Sequence, residues 1–330
     1  MMPLSEIAGL DATLDQRRRS EVADLVAAMW GVRSGEARFW RSSASHVFAV
    51  AYPPAETGRA FLRFVPEGWR GRGRVVAVAE LMRSYRLLGQ AVAAPLTSIQ
   101  GQLVETVPTA RGRMHAMLVG EAPGRQIDAA DLTEQRARAW GAALARLHCH
   151  PSVERLPESL SDLRRAEQVL ADDRPIAEAI ARLRTDLDRL PRHGDCFGVV
   201  HGDFELDHLA WTGDTPTAYD FDEAGRSWFV ADIAHALRDL QQGTSLRLDS
   251  PATQAFLAGY RTVRNLPVTD LTWLPLFTAA HAAIWLMRLP AVLDSGPSHS
   301  DPPWLPALRR KLLNRAASQR ILVLANTRRG

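Results

Sequence analysis

Apolar residues recur with a helical period between Gln16 and Trp30, at Val22, Leu25, Val26 and Met29, and the pattern stops at Gly31. From Ala37 to Val119 the rhythm shortens to strand-like runs: Arg38–Ser42, His46–Tyr52, Ala60–Val65, Ala91–Ile99, Gln102–Val107 and Arg113–Val119. Turn residues separate them at Pro53-Pro54, Thr57-Gly58, Gln100-Gly101 and Ala110–Gly112. A helical period over Val75–Leu88, ended by Gly89, interrupts the strands. The pattern predicts a mostly antiparallel sheet of about five strands carrying one helix.

After Pro123-Gly124 helical periods dominate. Asp131 is positioned to cap a helix running to His148, and further helices are predicted over Ser161–Ala171, Pro175–Leu190, Val230–Leu240, Thr253–Thr262, Leu271–Leu289 and Trp304–Leu324. A polar segment of short strands and loops, Phe197 to Arg226, divides them. A β-rich part followed by an α-rich part is an α+β organisation, with the boundary near Gly120–Gly124.

At 330 residues, 46% apolar and 23% charged, the chain is neither disordered nor fibrous. A net charge of +3 gives no argument for a nucleic-acid partner, and the Arg70-Gly71-Arg72-Gly73-Arg74 run reads as a solvated loop. Leu271–Met287 is uncharged but broken by Pro275 and His281, which predicts a buried core helix and no membrane span. The N-terminus has acidic residues where a signal peptide needs an apolar segment, and Cys149 and Cys196 lack CxxC spacing. A reducing cytoplasm is the expected location. Only Lys311 is lysine; the other 39 basic residues are arginine.

The segment Val199-Val200-His201-Gly202-Asp203-Phe204-Glu205-Leu206-Asp207-His208-Leu209 is followed by Ala218-Tyr219-Asp220-Phe221-Asp222-Glu223-Ala224. Two apolar strands each deliver carboxylates into loops. Phosphoryl transfer needs such a set: one carboxylate to orient a hydroxyl and others to hold Mg²⁺ on phosphates. His201-Gly202-Asp203 with Asp220-Phe221-Asp222 and Trp228…Ala231-Asp232-Ile233-Ala234 resembles the aminoglycoside phosphotransferase and choline kinase-like superfamily, most of all its bacterial phosphotransferase enzyme family. The resemblance runs over residues 37–240 and takes in Phe61-Leu62-Arg63-Phe64, Glu80, Ala116–Arg125 and Leu144–His148.

The resemblance implies a bilobal protein-kinase-like fold, with a nucleotide-binding β-rich lobe over residues 1–119 and a helical lobe over 120–330 holding the catalytic loop and acceptor site. It implies Asp203 as the catalytic carboxylate, Asp220 as a Mg²⁺ ligand with Asp222 auxiliary, and Asp232 as a brace of the catalytic loop. Arg63 stands where the family carries its phosphate-contacting basic residue, Glu80 where its pairing glutamate lies, and Val119 and Glu121 at the hinge that takes the adenine. The implied activity moves the γ-phosphate of ATP or GTP to a hydroxyl of a small-molecule acceptor.

Three departures stand out. Arginine replaces the usual lysine at 63, offering a fork for phosphate. Ser42-Ser43-Ala44-Ser45 replaces a glycine-bearing loop, so that Ser43 and Ser45 become the phosphate-cradling candidates. His208 occupies a metal-ligand position normally held by asparagine, and imidazole is a poor Mg²⁺ ligand. Other readings of the same residues are a protein Ser/Thr kinase, a nucleotide-binding pseudokinase, and a metal-dependent hydrolase with His201, Asp203, Glu205, Asp207 and His208 as candidate ligands, the alternating set of which would face one side of a strand. His148-Cys149-His150 reads as structural, and Trp228 and Phe229 as core.

Overall fold

The computed structural model describes residues 1–151, 155–241, 246–298 and 301–325. The chain divides into two compact units that interleave in sequence. One is Met1–Pro123 with Thr217–Asp222 and Val292–Pro306; the other is Gly124–Pro216 with Glu223–Ala291 and Ala307–Gly330.

In the first unit, helices α1 (Leu4–Asp11) and α2 (Glu21–Ala27) precede the sheet. The helix predicted from Gln16 starts five residues later. The Asp15 carboxylate accepts the backbone N–H groups of Arg17 and Arg19, and Arg18 turns with φ 59°, so that stretch is a tight turn. The sheet has six strands rather than five: β1 (Arg38–Ser42), β2 (His46–Ala51), β3 (Arg59–Pro66), β4 (Pro95–Leu96), β5 (Glu105–Thr109) and β6 (Gly112–Gly120). Their order is β1-β2-β3-β6-β4, with β5 also on β6, and every pairing is antiparallel. Alternation along β3 sends Leu62 and Phe64 into a core with Phe48, Met114, Leu118 and Trp30, which leaves Arg63 on the opposite face.

Ala91–Ile99 yields only the two residues of β4. Ala93 N–H donates instead to Ala218 O at 2.8 Å, and Ala218 N–H donates to Ala91 O at 2.9 Å. That exchange draws the Thr217–Asp222 segment into this unit. Helix α3 (Arg72–Leu87) buries Val75, Val78, Leu81, Met82 and Tyr85, and Tyr85 packs on Phe221 with ring centroids 5.7 Å apart.

The second unit carries α4 (Glu134–Leu147), α5 (Leu163–Val169), α6 (Arg174–Asp188), β7 (Phe197–Val200) and β8 (Leu209–Thr212). After β9 (Thr215–Ala218), within which the chain crosses between units, come β10 (Gly225–Trp228), α7 (Phe229–Ala236) and α8 (Pro251–Arg261), then α9 (Leu274–Leu293) and α10 (Leu305–Ala325). The cap of α4 is Thr133, whose hydroxyl accepts Arg136 N–H at 3.2 Å, not Asp131, which sits in a preceding 3-10 turn. Val268–Leu293 is long and apolar enough, by length and composition, to cross a membrane, yet Phe277, Ala279, Ala280 and Ala283 of α9 are buried within the protein. Trp228 is core, packed on Phe277 and donating from Nε1 to Pro191 O.

Helices α4 and α8 cross at two glycines. A Cβ on Gly141 would lie 1.9 Å from Phe256 O, and one on Gly259 would lie 1.9 Å from Arg138 O. Both obstacles are backbone, so the helices must separate to admit a methyl group. Gly141→Ala and Gly259→Ala are each expected to cost at least ~1–3 kcal/mol, in the range of core overpacking. Urea unfolding midpoints that match wild type in both variants would contradict this crossing.

Candidate active site

In the first unit the two carboxylates of the Asp-Phe-Asp segment converge on one arginine. Phe221, fully buried, anchors the segment, and Asp220 bends it with φ 63°, a left-handed conformation that aspartate tolerates better than most residues. Arg63 Nη2 lies 2.8 Å from Asp220 Oδ1 and 2.9 Å from Asp222 Oδ2, and it leans on Ser45 Oγ at 3.4 Å. Burial would depress the Arg63 pKa, but Asp220 and Asp222 outweigh it and hold the guanidinium above its ordinary value. Arg41 adds a second contact to Asp220 at 3.0 Å, and Arg70 adds one to Asp222 at 2.9 Å. Arg74 donates to the Asp222 carbonyl.

The Arg70–Arg74 run is therefore no solvated loop. Gly71 caps α3, and the flanking arginines reach the carboxylate segment. Ser43 and Ser45 belong to the short turn joining β1 to β2, where Ser43 N–H donates to Ser45 O and Ser45 is buried. Glu80 is half-buried on α3. Val119, buried in β6, pairs with Phe61 and Pro95, and Glu121 binds Arg59 at 2.9 Å just beyond the strand.

The catalytic-loop candidates lie in the second unit and hang from Asp232 of α7. Its carboxylate accepts His201 N–H at 2.7 Å, Gly202 N–H at 2.9 Å and His148 Nε2 at 3.0 Å. His148 Nδ1 in turn accepts the Tyr260 hydroxyl at 2.8 Å, so both ring nitrogens of this buried histidine are used. The expectation of a structural histidine holds. Burial alone would raise the Asp232 pKa; hydrogen bonds and charge from His148 and His201 hold it below the usual carboxylate value. Gly202 has φ 80°, and a Cβ there would meet Glu223 O at 2.3 Å, so this position requires glycine. Trp140 Nε1 donates to Phe204 O, tying α4 to the same loop.

Asp203 follows in a loop and short 3-10 turn, not in a strand, so the one-sided alternation on which the hydrolase reading rested is absent. The Asp203 carboxylate lies 3.4 Å from His235 Nε2 and 3.6 Å from Arg238 Nη2. Arg238 also pairs with buried Glu205 and donates to His235 Nε2 at 2.6 Å. Burial, offset in part by Arg238 and reinforced by neighbouring carboxylates, pushes Glu205 up to about 8. His208 is buried, and its Nδ1–H donates to the Asp203 carbonyl at 2.7 Å. Among the described residues, Asp203, Glu205 and His235 have donor atoms within 4.8 Å of one another, but Arg238 already supplies a positive charge to that group.

Arg41 and Arg238 escaped the sequence reading, and Arg70 and Arg74 were read as solvated and not as partners of the carboxylate segment. The i, i+4 spacing of Arg70 and Arg74 astride a helix start was the available signal; Arg41 and Arg238 carried none.

The buried histidines give stability a pH dependence. Burial, the leading cause, lowers His148, holds His235 well below its ordinary value and pushes His281 down to about 4. The unfolded chain, with histidines near pKa ~6.5, binds these protons first as pH falls, so unfolding is favoured below that value. The histidines alone make the urea midpoint fall between pH ~6.5 and ~4.5. Glu205, raised to about 8, contributes the opposite slope up to that pH, so the histidine part is read as the difference between wild type and histidine variants. His148→Gln or His281→Gln should flatten that fall; parallel profiles for wild type and variants would exclude the histidines as its source.

Residues 37–266 match the Phosphotransferase enzyme family. Amicoumacin kinase of Bacillus subtilis (strain 168) is 27% identical over 218 residues, which span 63% of this chain and 64% of that protein, somewhat under two thirds of its length. Homoserine kinase of Neisseria meningitidis serogroup B (strain ATCC BAA-335 / MC58) is 28% identical over 224 residues, 64% of this chain and 70% of that one. Among solved structures, an amicoumacin kinase in complex with AMP-PNP, Ca²⁺ and Ami superposes with a TM-score of 0.73 at 20% identity, covering 96% of this chain and 95% of the other. The fold is accordingly kinase-like and mixed α+β, as the resemblance implied. The match takes in the strand of Arg63, the Asp203 loop, the Asp220–Asp222 segment and Asp232, and the chain belongs to the Phosphotransferase enzyme family.

Proposed function

We propose that this protein transfers the γ-phosphate of ATP or GTP to a hydroxyl of a small-molecule acceptor. The observation that carries the reading is the Asp203 loop itself. Two consecutive backbone N–H groups are clamped by a buried carboxylate, and the next residue is a partly exposed aspartate. Asp203 would orient the acceptor hydroxyl and take its proton as the bond to phosphorus forms. His208, bonded to the Asp203 carbonyl, and Asp232 fix the loop from which that carboxylate projects.

Asp220 and Asp222 offer hard oxygen donors, which suit Mg²⁺. Asp222 Oδ2 accepts no aligned hydrogen bond although two arginine nitrogens lie 2.9 Å away, a fit for an oxygen that serves a cation. Mg²⁺ held there would neutralise phosphate charge. Arg63, fixed on β3, would bind phosphate oxygens through its fork. The relatives named as amicoumacin kinase and homoserine kinase support a small-molecule acceptor over a protein one. Retention of Asp203, Asp220 and Asp222 favours an active enzyme over a pseudokinase.

Asp203→Asn should lower turnover by ~10²–10⁴, the usual loss of a positioned acid–base group, with nucleotide affinity preserved. Asp220→Asn should instead weaken metal-dependent nucleotide binding. A screen of hydroxylated metabolites for nucleotide consumption identifies the acceptor; calorimetry with a non-hydrolysable nucleotide then separates the two effects. Unchanged turnover in Asp203→Asn on that acceptor would remove Asp203 from the chemistry.

A further inference from the structure

Three arginines contact the two carboxylates assigned to the metal, and they differ in their freedom to leave. Arg63 has a side chain only 10% exposed and sits in the middle of the sheet on β3. Arg41, at the β1 end beside the serine turn, has a side chain 43% exposed. Arg70 precedes α3 in a loop, with a side chain 16% exposed. Arg41 occupies Asp220 Oδ2, and Arg70 occupies Asp222 Oδ2 together with Arg63.

A bare divalent cation approaching these oxygens meets fixed positive charge within about one hydrogen-bond length, where like charges repel strongly. Guanidinium does not lose its proton, so that charge cannot be titrated away. It can only be moved. A polyphosphate supplies what moves it: several anionic oxygens that match the guanidinium fork better than a shared carboxylate oxygen does.

Building on the phosphotransferase reading above, we propose that Arg41 and Arg70 are nucleotide-phosphate ligands that lock Asp220 and Asp222 until the nucleotide arrives. Metal then enters with the nucleotide and not before it. Arg63 stays in place on β3 and turns its fork toward the phosphates, while Arg41 and Arg70 leave the carboxylates for the phosphates altogether. Binding of metal and nucleotide is thereby coupled, and the coupling resides in two residues on one face of the first unit.

The test uses the full chain and Mn²⁺, whose binding is read directly by electron paramagnetic resonance without turnover. Wild type should bind free Mn²⁺ weakly and bind it well once AMP-PNP is added. Arg41→Ala and Arg70→Ala should bind free Mn²⁺ about tenfold or more tightly than wild type, because one repelling charge has gone. Both should lose about tenfold or more in AMP-PNP affinity, as a charge-assisted contact is removed. Arg70→Lys keeps the charge and should keep free Mn²⁺ out, which distinguishes repulsion from a disturbed fold. Free Mn²⁺ binding as tightly to wild type as to the alanine variants, or alanine variants with full AMP-PNP affinity, overturns the lock while leaving the phosphotransferase reading intact. Failure of wild type to bind AMP-PNP with any divalent metal overturns both.

Discussion

The buried carboxylate of Asp232 is the contact on which the His201–His208 loop depends. It is 1% exposed and receives three donors, two of them successive backbone N–H groups of the His201-Gly202 turn. A buried carboxylate without donors is strongly destabilising, and an unpaired buried N–H costs ~1–3 kcal/mol, so each side of this contact enforces the other. The requirement spreads outward. Gly202 must be glycine for its N–H to turn toward Asp232, and His148 must stay neutral with its Nδ1 accepting from Tyr260. Tyr260 reaches His148 because α8 crosses α4 at Gly141 and Gly259. A helix crossing, two glycines and a histidine tautomer therefore set the position of Asp203.

The first unit solves a related problem with arginine alone. Asp220 and Asp222 flank a buried phenylalanine, and the chain turn at φ 63° brings both carboxylates to the same side. Arg63 Nη2 donates to Asp220 at 2.8 Å and ion-pairs with Asp222 at 2.9 Å, while Nε and Nη2 both approach Ser45 Oγ at 3.4 Å. An arginine rather than a lysine at 63 therefore matters to the segment itself. It gives the sheet a group that bridges two acids and stays charged when buried.

The legible and illegible features separate by the range of the forces involved. Strands β1, β2, β3 and β6 and nearly every long helix followed from hydrophobic period, because their burial repeats along the local chain. The carboxylates Asp203, Asp220 and Asp222 stood out through spacing within short segments. Ala91–Ile99 misled because its backbone groups pair with Ala218, more than a hundred residues away, and no local pattern encodes that exchange. Arg41 and Arg238 were invisible for the same reason: a lone arginine among 39 gains meaning only when folding places a carboxylate beside it. The Arg70–Arg74 run was visible but misread, since composition cannot tell solvent from a partner such as Asp222.

His208 shows how one substitution is absorbed by its surroundings. An asparagine at this position would place an amide where the family resemblance expects a metal ligand, whereas the imidazole turns its Nδ1–H to the Asp203 carbonyl at 2.7 Å. That bond selects the tautomer with the proton on Nδ1, leaving Nε2 as the acceptor nitrogen. It also spans five residues of a turn whose Leu206 N–H is held by Asp239 and whose Glu205 side chain is held by Arg238. Each residue from 205 to 208 except Asp207 is buried and fixed in this way. An imidazole so engaged holds Asp203 at the end of a rigid turn through its backbone carbonyl.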